Sequence, residues 1–291
     1  MIFRDEETGL YYEKREDGIV ITDADKKLTE ISIPKELEGL KVISVGKKAF
    51  LGCRSLRSVV VPGTINKIED WAFANCPNLK EIVLSTNNCI LGQGVFKNSD
   101  SLQDIFCPDM GSEASKLLAA TVTLMDAEYL LTPSEIHRNE WYNKWDQKLE
   151  YILDMRDDEG YHLYVLCGEE DLHFDYDQYV EYIREKKSAL CMLRLLNDYC
   201  LEDIFRCRIR KYILDSSKGR GSEAAWKYVL KNKGDIKDYY ELLINIGGAH
   251  KDNLEGMLLD MGERHVEMKA FLIEQIRGKG DTSDFFDDLF L

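Results

Sequence analysis

The chain has 291 residues, enough for one large domain or two ordinary ones, each with its own core. Its 44% hydrophobic and 31% charged residues exclude a disordered majority, and no run of about 18 apolar residues offers a membrane span. The net charge of −15 argues against nucleic acid and anionic lipid as partners, because both are bound by neutralising phosphate with Lys and Arg.

The charge is uneven. Residues 1–110 carry 14 Lys and Arg against 17 Asp and Glu (net −3), and residues 111–291 carry 24 against 36 (net −12). The opening Met1-Ile2-Phe3-Arg4-Asp5-Glu6-Glu7 lacks the basic-then-apolar order of a signal peptide. A cytoplasmic address is therefore expected, or a surface or secreted one if a leader has been removed. None of the eight cysteines forms a C-x-x-C pair, and Cys53 and Cys76 occupy equivalent repeat positions, so reduced thiols acting as small buried hydrophobes are expected.

In chain order, the first hundred residues carry a 23-residue period. Phe50, Phe73 and Phe96 align, preceded by Ala49, Ala72 and Val95. Cys53/Cys76/Ser99, Leu56/Leu79/Leu102, Val59/Ile82/Ile105 and Val61/Leu84/Cys107 follow in register. Leu28, Ile31, Ile33 and Pro34 form an earlier partial copy of Leu56, Val59, Val61 and Pro62. A repeat of this length is one turn of a solenoid, too small to bury its apolar side unless it stacks on its neighbours. The Leu-x-x-Val-x-Val segment ends in alternation, which predicts a strand with one face inward, and stacked strands make a narrow parallel sheet.

The stretch Gly46-Lys47-Lys48-Ala49-Phe50-Leu51-Gly52-Cys53, followed by Leu56, Val59, Val61 and Pro62, resembles the BspA-like class of bacterial leucine-rich repeats. Leu10-Tyr11-Tyr12 and Gly18-Ile19-Val20-Ile21-Thr22 resemble the strand-rich cap that begins such arrays. The resemblance covers about residues 10–108. It implies adhesion or protein binding and brings no catalytic residues. Glu69 stands where the family prefers Gly, Ser99 replaces the ladder Cys and Asn88 replaces an apolar residue, which together suggest a frayed last turn that docks onto the next domain.

If Val59 and Val61 point inward, their neighbours point to the open face. That predicts a polar column, Glu30/Ser58/Glu81/Asp104, beside a second column, Ser32/Val60/Val83/Phe106. A Val-Val-Phe stripe edged by acids is a candidate partner site, unless the helical half or another copy of the chain covers it.

After Cys107-Pro108-Asp109-Met110 the alternation stops and apolar residues recur at spacings of three and four. Helices are predicted at about 113–130, 134–156, 176–197, 202–215, 222–232, 236–246, 252–261 and 264–277, with Thr132-Pro133-Ser134-Glu135 as a start signal and Gly247 and Gly278 as stops. The stretch from Gly234 to Leu272 resembles the ankyrin-like helical tails attached to leucine-rich arrays. The expected organisation is a leucine-rich-repeat domain with an N-terminal strand cap (1–110), an all-helical domain (111–280) and an acidic-hydrophobic tail (281–291). The class is α+β, a short leucine-rich-repeat β-solenoid followed by an all-α helical-repeat domain. In the tail, Phe286 and Phe290 alternate with acids, and such a peptide can dock as an amphipathic helix on a partner, on a sister subunit or back on its own domain.

Candidate chemistry is sparse. His162, Cys167 and His173 lack tight zinc-ligand spacing, Glu169–Asp177 lacks the calcium-loop pattern, and Lys218-Gly219-Arg220-Gly221-Ser222 does not fit a phosphate loop. Gly92-Gln93-Gly94 lies within a repeat loop, and Trp141, Tyr142, Trp145 and Tyr151 at helical spacing read as core before they read as a sugar platform. No catalytic, cofactor or metal site is expected. The sequence points to a non-enzymatic interaction module with a protein partner or a second copy of itself. A cell-surface adhesin fragment and an enzyme hidden in the helical half are the alternatives.

Overall fold

The computed structural model describes residues 1–108, 112–136, 138–162, 176–217 and 224–278. They fall into two compact units, Met1–Lys148 and Leu149–Leu291.

The first unit opens with an antiparallel meander, β1 (Ile2–Arg4), β2 (Leu10–Arg15) and β3 (Gly18–Ala24). Leu10, Ile19 and Ile21 are fully buried, and the meander caps a solenoid of about four turns. One wall of the solenoid is a parallel sheet of β4 (Glu30–Ser32), β7 (Ser58–Val61), β9 (Glu81–Leu84) and β11 (Asp104–Phe106). A second wall continues from β3 through β6 (Leu40–Val45), β8 (Lys67–Ile68) and β10 (Ile90–Leu91), all parallel, with β5 (Glu36–Leu37) antiparallel on β6. The sequence pattern marks the first wall and is silent on the second, whose β8 and β10 are two residues each, too short to alternate.

Between the walls the predicted columns line up. Phe50 and Phe73 stack with ring centroids 4.7 Å apart, and Phe73 and Phe96 at 6.0 Å. Leu56, Leu79, Val59, Ile82 and Ile105 are fully buried beside them. Each such side chain contributes roughly 1.5–3 kcal/mol on leaving water, and every one needs the adjacent turn to complete its burial. Backbone bonds link turn to turn on the looped side: Phe50 N–H donates to Ala72 O (2.8 Å) and Phe73 N–H to Val95 O (2.9 Å). Left-handed residues recur with the same period. Lys48, Trp71 and Gly94 have φ of 63°, 61° and 60°, and Gly52, Asn75 and Asn98 have 71°, 55° and 56°. Asn tolerates this conformation better than most residues, and here Asn98 Nδ2 also donates to Asn75 Oδ1 at 2.9 Å.

The last turn is not frayed. Ser99 Oγ donates to Phe73 O (2.8 Å) and accepts from Cys76 N–H (3.0 Å), while Cys76 Sγ reaches Phe50 O (3.2 Å). The hydroxyl thus takes over the carbonyl contact of the ladder thiol one turn earlier. Ser99→Ala would strand a buried N–H and weaken a buried carbonyl's bonding, at about 2 kcal/mol. Ser99→Cys, which restores the repeat residue, should cost under about 1 kcal/mol by the same reasoning. Urea unfolding of the two variants checks this order, and equal losses would contradict the equivalence of hydroxyl and thiol.

Helix α1 (Ser112–Thr123) packs on β11, burying Leu117 and Leu118 and donating Ser115 Oγ to Asp104 Oδ1 at 2.6 Å. It therefore closes the open end of the array, and the first compact unit runs past the strand-to-helix change to Lys148. The helix predicted to reach residue 130 stops at Thr123. Thr121 Oγ1 bonds Leu118 O, Thr123 Oγ1 bonds Ala119 O, and Asp126 turns left-handed at φ 49° before a short 3₁₀ turn at Glu128–Leu130. Helix α2 (Asn139–Asp154) begins later than its Thr-Pro-Ser signal, which forms turns instead, with Glu135 pairing to Lys144. Trp141 and Trp145 are buried, and their indole N–H groups donate to Leu130 O (2.9 Å) and Leu117 O (3.2 Å).

The second unit is helical: α3 (Tyr176–Leu196), α4 (Asp203–Ser217), α5 (Ala224–Asn232), α6 (Lys237–Ile246), α7 (Lys251–Met261) and α8 (Val266–Arg277). Helix α3 is its centre, burying Ala189 to Leu193 against α4 and α5. Gly247 ends α6 in a left-handed cap at φ 84°, as the Gly signal predicts. Many of this unit's carboxylates are partnered. Asp157 accepts from Lys187 (2.9 Å) and Arg184 (2.7 Å), Arg208 pairs with Glu150 and Asp154, and Lys227 with Glu181.

Candidate partner-binding face

Strand register brings the predicted outward residues into rows. Glu30 pairs with Ser58, Ser58 with Glu81 and Glu81 with Asp104, and Ser32, Val60, Val83 and Phe106 pair in the same order. Between these rows Val59, Ile82 and Ile105 face inward at 0% exposure, so the alternation that fills the core also builds the outer surface. Glu30 and Ser32 are exposed, whereas Ser58, Val60, Glu81, Val83, Asp104 and Phe106 are half-buried. Ser58 Oγ donates to Glu81 Oε1 at 2.8 Å, and Asp104 is engaged by Ser115. Phe286 and Phe290 lie outside the described residues.

A third row escaped the sequence reading. Arg57, Lys80 and Gln103 stand one position before Ser58, Glu81 and Asp104, are exposed, and line a shallow hollow of about 290 Å³ with Glu30, Glu81 and Asp104. Their main chains are the ladder itself: Arg57 N–H donates to Thr29 O (2.6 Å), Lys80 N–H to Arg57 O (2.8 Å) and Gln103 N–H to Lys80 O (2.8 Å). The 23-residue beat holds for these positions too, but their residue types vary, so periodicity without conserved chemistry hid them. The face carries two cations and three acids around the hollow, beside a half-buried Val-Val-Phe row.

The thiols of the array are chemically quiet. Burial pushes Cys76, Cys89 and Cys107 up to about 12, and Cys53 also rises for the same reason, so none offers a thiolate near neutrality. Among the described residues no group of His, Cys, Asp and Glu is arranged to hold a metal ion. His162 is exposed, whereas His137, Cys167, His173 and the Lys218–Ser222 turn lie outside the described residues.

Residues 24–143 match the model of the BspA type leucine rich repeat region, a model of six copies. The array is a BspA-type leucine-rich repeat. The matched span runs beyond the last strand of the repeat into α1 and α2. No curated protein matches the chain. Among solved structures, a leucine rich cell surface protein from Faecalibacterium prausnitzii A2-165 is 24% identical over 39% of this chain and 33% of its own, with a TM-score of 0.33. The match thus spans about a third of that protein's length. The Treponema protein described as T. pallidum leucine rich repeat protein is 22% identical over 35% of this chain and 71% of its own, TM-score 0.26. A leucine-rich repeat protein from Bacteroides capillosus ATCC 29799 is 20% identical over 36% and 97%, TM-score 0.28. Among the described residues, no helix is long and apolar enough to cross a membrane.

Proposed function

We propose that the chain is a non-enzymatic protein-binding module that grips its partner through the outer face of β4, β7, β9 and β11. The observation that carries this reading is the pairing of two outward rows in strict register: a half-buried apolar one, Val60/Val83/Phe106, and a charged one, Glu30/Glu81/Asp104, flanked by Arg57 and Lys80. An apolar row bordered by charged groups is a composition suited to a specific interface. Four strands at about 4.8 Å spacing span only some 15–20 Å, which suits a peptide segment or one edge of a small domain. Repeat arrays commonly use such stacked surfaces for binding, and BspA-type repeats bring no catalytic residues. A cytoplasmic site of action is proposed with this reading, with a cell-surface one as its alternative.

The test is hydrogen exchange of the chain with a partner captured from its source, followed by affinities for Val83→Glu and Lys80→Glu. Protection should centre on Ser58–Val61 and Glu81–Leu84. Val83→Glu should weaken binding about 30-fold, a loss near 2 kcal/mol, with little change in thermal midpoint. Lys80→Glu should chiefly slow association and flatten its salt dependence. Protection confined to other surfaces, or an unchanged affinity in Val83→Glu, would remove this face from the interface. Light scattering of the chain alone reports whether a second copy is the partner.

A further inference from the structure

A second hollow, on the looped side of the array, has the composition of a small-molecule site. Trp71 and Tyr129 line it with Gln93, Lys97, Asp126 and Glu128 around about 350 Å³. Trp71 is 38% exposed and Tyr129 64% exposed, while the other three tryptophans are at most 2% exposed. The solenoid builds the platform. Trp71 occupies the left-handed position that Lys48 fills one turn earlier and Gly94 one turn later. A β-carbon at Gly94 would stand 3.3 Å from Cδ2 and Cε2 of the indole, so the glycine backs the ring at its fusion bond. Gly94 N–H donates to Glu128 Oε2 at 3.2 Å, which ties the 3₁₀ turn after α1 to the repeat loop, and Trp71 N–H donates to Gln93 O at 3.0 Å.

We propose that this hollow binds a neutral saccharide, one sugar ring stacked on the Trp71 indole and its hydroxyls bonded by Gln93, Lys97, Asp126 and Glu128. Stacking an aromatic ring on the C–H face of a sugar buries apolar area without asking for charge, and planar polar groups with an ammonium supply both acceptors and donors for hydroxyls. A cation would meet the Lys97 ammonium, and the two rings present, Trp71 and Tyr129, are fewer than the cage that cation recognition favours. An anion would meet Asp126 and Glu128. The site is separate from the strand face, so each can fail without the other.

Acrylamide quenching of tryptophan fluorescence tests this in the full chain, because Trp71 dominates the accessible emission. Maltose, cellobiose, lactose and N,N′-diacetylchitobiose are the probes, with tetramethylammonium chloride and a proline-rich peptide as competing ligand classes. At least one disaccharide should protect saturably with a midpoint below about 20 mM. Trp71→Lys, which installs the residue of the preceding turn and keeps its backbone demand familiar, should abolish disaccharide binding measured by calorimetry. Glu128→Gln, which retains an acceptor for Gly94 N–H, should weaken it at least about fivefold, or 1 kcal/mol. Protection by tetramethylammonium or the peptide but by no sugar would overturn the proposal. So would sugar binding that survives Trp71→Lys, and so would the absence of protection by all four sugars.

Discussion

Phe73→Ala is expected to lower the midpoint of thermal unfolding by roughly 10 °C, the largest single-residue effect in the array. Phe73 is fully buried between Phe50 and Phe96, with ring centroids 4.7 and 6.0 Å away, so truncation empties a space lined by two turns at once. Large-to-small changes at such sites cost about 3–5 kcal/mol, and in a chain of this size each kcal/mol moves the midpoint by about 2–4 °C. Phe73→Leu keeps much of the volume and should cost about 1–1.5 kcal/mol. Calorimetry of the two variants separates loss of packing from loss of ring stacking. A fall of less than about 3 °C for the alanine variant would mean that the column does not carry the shared interior argued for it.

Gly92→Ala is expected to come second, at about 3 kcal/mol, because it overpacks a site bounded by main chain. A β-carbon there would stand 2.5 Å from Asp70 N and 2.7 Å from Glu69 C, and neither atom belongs to a side chain that could swing aside. The approach is close because the turns are bonded at this point: Gly92 N–H donates to Ile68 O (2.8 Å) and Gln93 N–H to Asp70 Oδ1 (3.0 Å). One turn back the equivalent residue is Glu69, whose N–H makes the same bond, to Val45 O at 2.8 Å, and whose carboxylate accepts from Lys47 N–H at 3.0 Å. The equivalent Gly46 is intermediate, with a β-carbon 2.9 Å from Ile21 O, and Gly46→Ala should be the milder of the two glycine variants. Urea unfolding checks the ranking, and a neutral Gly92→Ala would show that the turns can separate there without loss.

Much of this was legible because a solenoid repeats its reasons. From residue 49 onward each inward column recurs every 23 positions, so Phe50, Cys53 and Leu56 in the loops and Val59 on the first wall announce the core, and the register of Ser58 and Val60 follows from alternation alone. The second wall was not legible, since Lys67–Ile68 and Ile90–Leu91 are held by neighbouring turns rather than by a pattern of their own. Ser99 looked like a defect because the columns are read by residue type. In the fold its hydroxyl makes the bond that matters, to Phe73 O. Arg57, Lys80 and Gln103 were missed for the related reason that a solvent-facing row keeps its position while its chemistry drifts. The Trp71 hollow needed three dimensions, because Glu128 and Gly94 are 34 residues apart and meet only once α1 has closed the end of the array.

The left-handed residues at 48, 71 and 94, and again at 52, 75 and 98, bear on how such a chain can change length. Inserting one amino acid inside a turn would change which residues sit at these left-handed positions, four of the six now Gly or Asn, and move a neighbour out of the Phe column in the same stroke. Duplicating a whole 23-residue segment disturbs neither. Relatives of this array should therefore differ by whole coils far more often than by single-residue gaps within one, and longer insertions belong where the 28-residue first turn adds β5, ahead of the Phe column.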